Sequence, residues 1–412
     1  MKEKLINFLR WTERFTETDM LYIFRAGFWV VFGKMGMALV SFSKMIVFGR
    51  LVDPSLYGNY SFLISTAALL AIFSLPGIET SLIKAIANKK EGTVNSAAKE
   101  RLKFSLIGSA LSILIALYYF YLKNHELGIS FLIIALFLPF KESFNLFSPF
   151  WIGKKDFKRH SLYTLAAAVL TTLIMIPLIS FTHNLILIIL AFMAGFALFN
   201  GIFFKIAQKS KINDDNYPQA IRFGKDLTIM GAIEYLGNNL DKVIIFALLG
   251  PIELAIYSFA QTPIAQIQEI IPIKQLALPK IGEKSLFDIK KGLMKKFKKL
   301  FLVSIPTAVV AIIVAPTFYK IVLPQYVDSI PLFQLLSLTI IFVPFILLES
   351  ALIAEMRRKE VYTIQVTVPI IKIVLLLFLI PFWGLWGVVA SILISQIVLS
   401  ILTLRLFINS SD

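Results

Sequence analysis

The chain has 412 residues, of which 58% are hydrophobic and only 16% charged, and its mean hydropathy is +0.79. Soluble domains carry roughly 25% charged residues, so this composition excludes an ordinary water-soluble fold and points to a membrane protein. Zero cysteines and only three histidines (His125, His160, His183) exclude disulfides and thiolate nucleophiles and leave little for metal hydrolysis, while a net charge of +16 in so apolar a chain indicates basic cytoplasmic loops, not nucleic-acid binding.

A bilayer crossing takes about 20 mostly apolar residues. Twelve stretches meet that length: 25–47, 58–84, 103–122, 128–151, 161–181, 185–207, 226–249, 253–277, 301–319, 329–354, 361–380 and 384–406. The first holds Arg25, Lys34 and Lys44, and the seventh holds Glu234, Asp241 and Lys242. The expected fold is therefore an all-α membrane protein of about 12 transmembrane helices.

With the N-terminus in the cytoplasm, the cytoplasmic segments carry 30 Lys and Arg residues. The opposite loops carry only Arg50, Lys123 and Lys320. This asymmetry predicts a multi-pass membrane protein with both termini in the cytoplasm. No cleavable signal peptide is expected, because residues 1–20 mix charge signs and lack a small-residue cleavage site. The longest outer loop runs only from Lys320 to Asp328, which leaves no room for an outer domain. No GxxxxGK[ST] phosphate loop is present, so the chain is not by itself an ATP-driven pump. The closest acid pair, Asp214-Asp215, lies in a polar linker with no second cluster, which argues against an enzyme.

Lys284–Phe301 reads as an amphipathic helix. Leu286, Ile289, Leu293, Phe297 and Leu300 form one stripe, and Lys290, Lys291, Lys295, Lys298 and Lys299 the other face. Its apolar stripe either lies among lipid headgroups or belongs to a basic helical linker. The N-terminal stretch with Leu5, Phe8, Leu9 and Phe15 is a weaker instance.

The chain repeats itself at half its length. Lys44-Met-Ile-Val-Phe-Gly-Arg-Leu-Val-Asp-Pro-Ser-Leu-Tyr-Gly-Asn-Tyr-Ser-Phe62 aligns, with one gap, to Lys242-Val-Ile-Ile-Phe-Ala-Leu-Leu-Gly-Pro-Ile-Glu-Leu-Ala-Ile-Tyr-Ser-Phe259. The match keeps Lys, Ile, Phe, Leu, Pro and Tyr-Ser-Phe in order. An even number of spans separates the copies, so both halves enter the membrane in the same direction. This predicts two six-helix lobes about a pseudo-two-fold axis along the membrane normal. The expected division is an N-lobe at 1–210, a linker at 211–225 and a C-lobe at 226–412.

Ionisable residues inside spans cost roughly 3 kcal/mol each at a lipid-facing helix centre, so they snorkel, pair or face a wet cavity. The cations are Arg25, Lys34, Lys44, Lys84, Lys141, Lys242, Lys274 and Lys372. The acids are Glu79, Glu142, Glu234, Asp241, Glu269 and Glu349. Arg25, Lys84 and Lys274 lie near cytoplasmic ends and can snorkel. In the seventh span, Glu234, Asn238 and Asp241 share one helix face, and in the eighth Gln261, Gln268 and Gln275 recur every seven residues. Such stripes serve either to line a cavity or to join helices. The first lobe is net cationic within its spans and the second is near balance. A basic wall suits an anionic cargo such as pyrophosphate.

Phe48-Gly-Arg-Leu-Val-Asp-Pro-Ser-Leu-Tyr-Gly-Asn-Tyr-Ser-Phe62 resembles the first hairpin of bacterial and archaeal polysaccharide-biosynthesis flippases of the O-antigen translocase type. The segment from Asn239 to Ala260 resembles their seventh–eighth hairpin, and Gly384-Leu-Trp-Gly-Val-Val-Ala-Ser391 is similar to the glycine-rich start of their last span. Topology and span number agree over essentially the whole chain. The resemblance implies the multidrug/oligosaccharidyl-lipid/polysaccharide exporter (MOP) superfamily: two lobes forming a V around a central cavity. The implied cargo is a polyprenyl-pyrophosphate-linked oligosaccharide, moved by alternating access from the cytoplasmic to the outer leaflet, with membrane lipids as surroundings and no nucleic acid. One chain suffices. The cationic lumen carries over to Lys34, Lys44 and Lys141, and the seventh-span acid to Asp241. Candidate substrate-binding residues are Arg25, Lys34, Lys44, Lys84, Lys141 and Lys242. Four acids in the second lobe depart from a purely cationic cavity. They make Glu234, Asn238, Asp241, Glu269 and Glu349 candidates for a coupling H⁺ or Na⁺; no other cofactor is expected. The alternative function is an H⁺- or Na⁺-coupled multidrug exporter of the same superfamily.

Overall fold

The computed structural model describes residues 20–270, 286–355 and 357–409, and among them there are helices and turns but no strand. Eight helices are long and apolar enough to cross a membrane, nine if the bent pair Ser329–Phe342 and Phe345–Ile353 is one span. One of the eight, Lys359–Asn409, is two passes. Gly384 breaks it at φ 54°, ψ −134°, and a Cβ on Gly387 would lie 2.4 Å from the Leu379 carbonyl. Residues eight apart along a straight helix are separated by about 12 Å, so the chain has reversed. The hairpin Ala232–Leu249 and Pro251–Ile270 adds two more passes that charged and amide side chains make too polar for the same test. The total is the expected twelve.

The N-lobe comprises α1 (Met20–Leu51), α2 (Pro54–Leu70), α3 (Gly77–Ala87), α4 (Thr93–Tyr121), α5 (His125–Phe144), α6 (Phe147–Gly153), α7 (Phe157–Phe181) and α8 (Leu185–Lys209). The short connections have a repeated chemistry. Lys89, Lys123 and Lys155 adopt left-handed backbone just past helix ends. In the second of these, Lys123 N–H donates to Phe120 and Asn124 N–H to Tyr119, which closes the helix. The Asn124 side chain then accepts from Leu127 N–H and starts the next helix. Asp156 and Asn184 cap α7 and α8 in the same way.

Several spans bend where hydropathy gives no sign of it. The expected span 58–84 is α2, a 3-10 turn at Ala71–Ser74, and a separate α3 after Leu75 at φ 60°. The expected seventh span is likewise two helices, α9 (Pro218–Met230) and α10 (Ala232–Leu249), joined at Gly231. Helix α9 packs on the N-lobe: Gly77 N–H donates to Thr228 Oγ1, and Ile221 joins the core formed by Leu82, Ile86 and Trp151. Helix α9, which contains residue 226, stays on the N-terminal half as far as Gly231. The C-lobe continues with α11 (Pro251–Ile270), α12 (Leu286–Val322), α13 (Ser329–Ser337), α14 (Phe345–Ala354) and α15 (Arg358–Asn409).

The lysine-rich segment runs unbroken into α12. Its Leu293 and Phe297 are buried against Phe345, Leu348 and Phe407. From Leu293 to Leu300 the apolar stripe therefore packs on protein, because α14 and the end of α15 present a matching apolar face, and the side chains of Leu286 and Ile289 lie outside the described residues. Lys295, Lys298 and Lys299 are exposed.

The lobes join along the two repeat hairpins, α2 packing on α10 and α11. Ser61 and Ser258, equivalent in the repeat, share a buried hydrogen bond of 2.9 Å between their hydroxyls. A residue that meets its own counterpart marks the pseudo-two-fold axis. Phe62 stacks on Phe246 at 3.8 Å, and Tyr57 lies 4.4 Å from Phe259. Gly58 makes this approach possible, since a Cβ there would sit 1.9 Å from the Pro251 carbonyl oxygen. Backbone that close cannot yield as a side chain can. Gly58→Ala is expected to destabilise the protein by about 1–3 kcal/mol or more, measured as a fall in the thermal unfolding midpoint in detergent.

Candidate functional site

Two lysines from opposite lobes meet in one chamber. Lys44 of α1 and Lys242 of α10, partners in the repeat, line a cavity of about 270 Å³ together with Ser41, Tyr60, Ser61, Phe192 and Thr262. Lys44 Nζ lies 5.9 Å from the centre of the Phe192 ring. Among the described residues neither ammonium forms an ion pair. The chamber thus holds two cations, hydroxyl groups and aromatic walls.

Beyond the chamber's Lys44 end, the hairpin tips are tied together. The Arg50 guanidinium donates to the carbonyls of Ile321 at 2.7 Å and Val322 at 3.0 Å. Gln325 Nε2 reaches the Arg50 carbonyl at 3.4 Å. An N-lobe side chain therefore caps carbonyls at the C-terminus of α12, where a cation is favoured. Arg50→Ala removes both donors. Spin labels at Leu51 and Val327 are expected to report a longer, broader distance distribution in the variant, and an unchanged one would show that the tie holds nothing.

A second chamber of about 280 Å³ lies within the N-lobe and shares Phe192 with the first. Lys141, Glu142, Asn145, Thr164 and Asn200 line it. Lys141 pairs with Glu142, and Glu142 also lies 3.4 Å from Arg101, which in turn reaches Glu79 at 2.8 Å and Ser74 at 3.2 Å. Arg101 is 1% exposed. Two acids and two bases from three helices, α3, α4 and α5, therefore cancel one another. Tyr235 of α10 reaches the Ala68 carbonyl at 2.7 Å.

The third site is in the C-lobe. Glu234, Asn238 and Glu349 line a pocket of about 160 Å³ with Gln365, Lys372 and Gln396. Lys372 Nζ donates to the Gly237 carbonyl at 2.9 Å and lies 3.8 Å from Asp241. Asp241, 1% exposed, accepts from the Tyr257 hydroxyl at 2.7 Å. Gly237 brings α10 onto α15, where a Cβ would meet Pro369 at 2.5 Å. No group of three or more His, Cys, Asp or Glu side chains among the described residues could hold a metal ion.

The candidate residues thus divide. Lys44 and Lys242 share the interlobe chamber, and Lys141 sits in an ion pair in the N-lobe. Lys34 is half-buried on α1, and Lys84 is exposed in the last turn of α3. Glu234, Asn238 and Glu349 gather in the C-lobe pocket, with Asp241 tied to its Lys372. The side chains of Arg25 and Glu269, and all of Lys274 and Gln275, lie outside the described residues.

Sequence reasoning missed Arg101, which it counted among loop cations, and Lys372 as the partner of Asp241. Arg101, Ser105, Ser109, Ser112 and Ala116 are all buried and recur at helical spacing. That stripe of small residues, with an arginine at its end, was the available signal.

Residues 23–281, more than half of the chain, match the family described as polysaccharide biosynthesis protein. The chain belongs to that family. Its fold is that of MOP-superfamily transporters. A lipid II flippase, MurJ, in an inward closed conformation is similar with a TM-score of 0.73 and 14% identity, over 94% of this chain and 88% of that one. An inward-facing multidrug resistance MATE transporter gives 0.64 and 13%, over 90% and 97%. A Pyrococcus furiosus MOP transporter, described as having a binding pocket of reverse polarity, gives 0.63 and 13%, over 94% and 95%. The sequence matches no curated protein.

Removing one member of a buried ion cluster strands the others. Arg101→Ala leaves Glu79 and Glu142 facing each other without their guanidinium. It is expected to cost roughly 3 kcal/mol, the lower end of the range for broken buried pairs, because Glu79 is partly exposed. Thermal unfolding of the purified variant beside Arg101→Lys measures this, and the lysine variant should recover part of the loss.

Proposed function

We propose that the protein flips a polyprenyl-pyrophosphate-linked oligosaccharide from the cytoplasmic to the outer leaflet of a prokaryotic cytoplasmic membrane. The observation that carries this reading is that Lys44 and Lys242 line one interlobe chamber and that neither ammonium is in an ion pair among the described residues. Two fixed ammonium groups replace water around a pyrophosphate with charge-assisted hydrogen bonds. A lipophilic cation would meet like charge there, which disfavours the multidrug-exporter reading. The family assignment supports this choice, while the fold is common to flippases and multidrug transporters.

In this mechanism the head group enters from the basic, cytoplasmic end while the lipid tail stays in the bilayer. Release requires the Arg50 tie and the Ser61–Ser258 seam to part, so that the lobes rock open. A cell interior that is negative favours outward movement of an anion by about 2.3 kcal/mol per charge per 100 mV. A proton or Na⁺ exchanging at Glu234, Asn238 or Glu349 near the Asp241–Lys372 pair drives the return, since binding shifts an equilibrium only through differential affinity for its two states.

Thermal stabilisation of the purified protein tests the cargo. A polyprenyl pyrophosphate is expected to raise the unfolding midpoint and lipophilic cations are not. Lys44→Ala and Lys242→Ala should each weaken pyrophosphate binding roughly 10- to 100-fold, the worth of a charged hydrogen bond. Lys141→Ala should weaken it much less. Stabilisation by cations alone would replace this function with drug export.

A further inference from the structure

We infer that the N-lobe chamber beside Phe192 is a subsite for a single uncharged sugar, the residue attached directly to the pyrophosphate. The inference rests on the function proposed above and adds the chemistry of its specificity.

The chamber's position comes first. Phe192 lines both cavities. Lys44 lies on one side of its ring at 5.9 Å, and Phe196 packs edge-on against it at 5.1 Å. The N-lobe chamber therefore adjoins the lysine chamber at the Phe192 ring, on the path of a group bonded to a phosphate held by Lys44 and Lys242. The volume of about 280 Å³ falls just under the range of small-molecule pockets, which begins at roughly 300 Å³. That admits one sugar ring and not an oligosaccharide.

The chamber's chemistry decides the class of ligand. Its charges are already matched: Lys141 pairs with Glu142, and Glu142 and Glu79 pair with Arg101. A second phosphate would find no uncommitted cation among these four, and a cationic drug no uncommitted acid. A lipid tail would bury Asn145, Thr164 and Asn200 against hydrocarbon, which polar groups resist. Carboxamides, a hydroxyl, a carboxylate and phenyl faces together suit a ligand with hydroxyl edges and C–H faces. Asn145 is the most telling lining group, because its carboxamide makes no hydrogen bond within the described residues. Asn200 spends one N–H on the Lys141 carbonyl at 3.1 Å and Thr164 donates to the His160 carbonyl at 2.8 Å. The hydroxyl of Thr164 can still accept.

The test measures binding to the full-length protein of farnesyl pyrophosphate and of farnesyl pyrophosphate bearing one sugar. The sugars are glucose, galactose, N-acetylglucosamine and N-acetylgalactosamine. At least one glycosylated probe is expected to bind about tenfold more tightly than farnesyl pyrophosphate, which is the worth of one or two neutral hydrogen bonds. Asn145→Leu, which breaks no protein hydrogen bond, should reduce that gain to less than about twofold, with affinity for farnesyl pyrophosphate unchanged. Thr164→Val serves as the second variant and should lower the gain in the same direction. Lys44→Ala should weaken all five probes alike. If no sugar adds affinity, or the gain survives both chamber variants, the subsite is overturned while the flippase reading stands. If farnesyl pyrophosphate itself fails to bind, the flippase reading falls and the subsite falls with it.

Discussion

A polar group inside a bilayer core has no water to turn to, so every buried charge must find its partner within the protein. This constraint orders the molecule. Arg101 gathers Glu79, Glu142 and Ser74 from three other elements, and Lys141 completes the set. Asp241 is held by Tyr257 and Lys372. Outside the spans the same pairing recurs at Glu91, 4% exposed, which takes Lys154 at 3.0 Å and the Ile212 N–H at 2.8 Å. Against that background Lys44 and Lys242 stand out, because among the described residues neither forms an ion pair.

The same constraint explains why the lobes meet where they do. The repeat hairpins carry the Tyr-Ser-Phe triplets, and pairing Ser61 with Ser258 satisfies two hydroxyls at once. Aromatic rings fill the rest of the seam, as in the Phe62–Phe246 stack. The two turns differ in chemistry even so. Asp53 caps its own helix through Leu56 N–H, whereas Gly250 turns at φ 93° before Pro251. The halves share a scaffold and have diverged at its edges.

Much of this was legible in the residues. Hydropathy located the passes, and the ordered match from Lys44 to Phe62 against Lys242 to Phe259 placed both lysines at equivalent positions. That is why they face one chamber. The bends at Leu75 and Gly231 were hidden, since apolar composition continues smoothly across a broken helix. Arg101 was hidden for another reason. It lies in a run of charges near a span end, where solvation is the usual outcome, and its burial depends on Glu142, 41 positions away in the chain. The one local trace is the stripe of small residues that follows it along α4, which marks a packed face and not the partner. The sequence left two readings open for the apolar stripe of α12, because an amphipathic pattern does not say what covers it.

The lacing of residues 210–217 onto the N-lobe has a mechanical consequence. Glu91 grips this stretch through Ile212, Lys154 reaches the Ser210 carbonyl, and Tyr217 N–H binds Thr93. Helix α9 then rides on the same lobe. What looks like a slack tether is a stiff arm, and the covalent path between the halves reduces to a single-residue joint at Gly231. A slack tether would let the lobes part in any direction. A joint this short would confine any relative movement of the lobes to a pivot about one point.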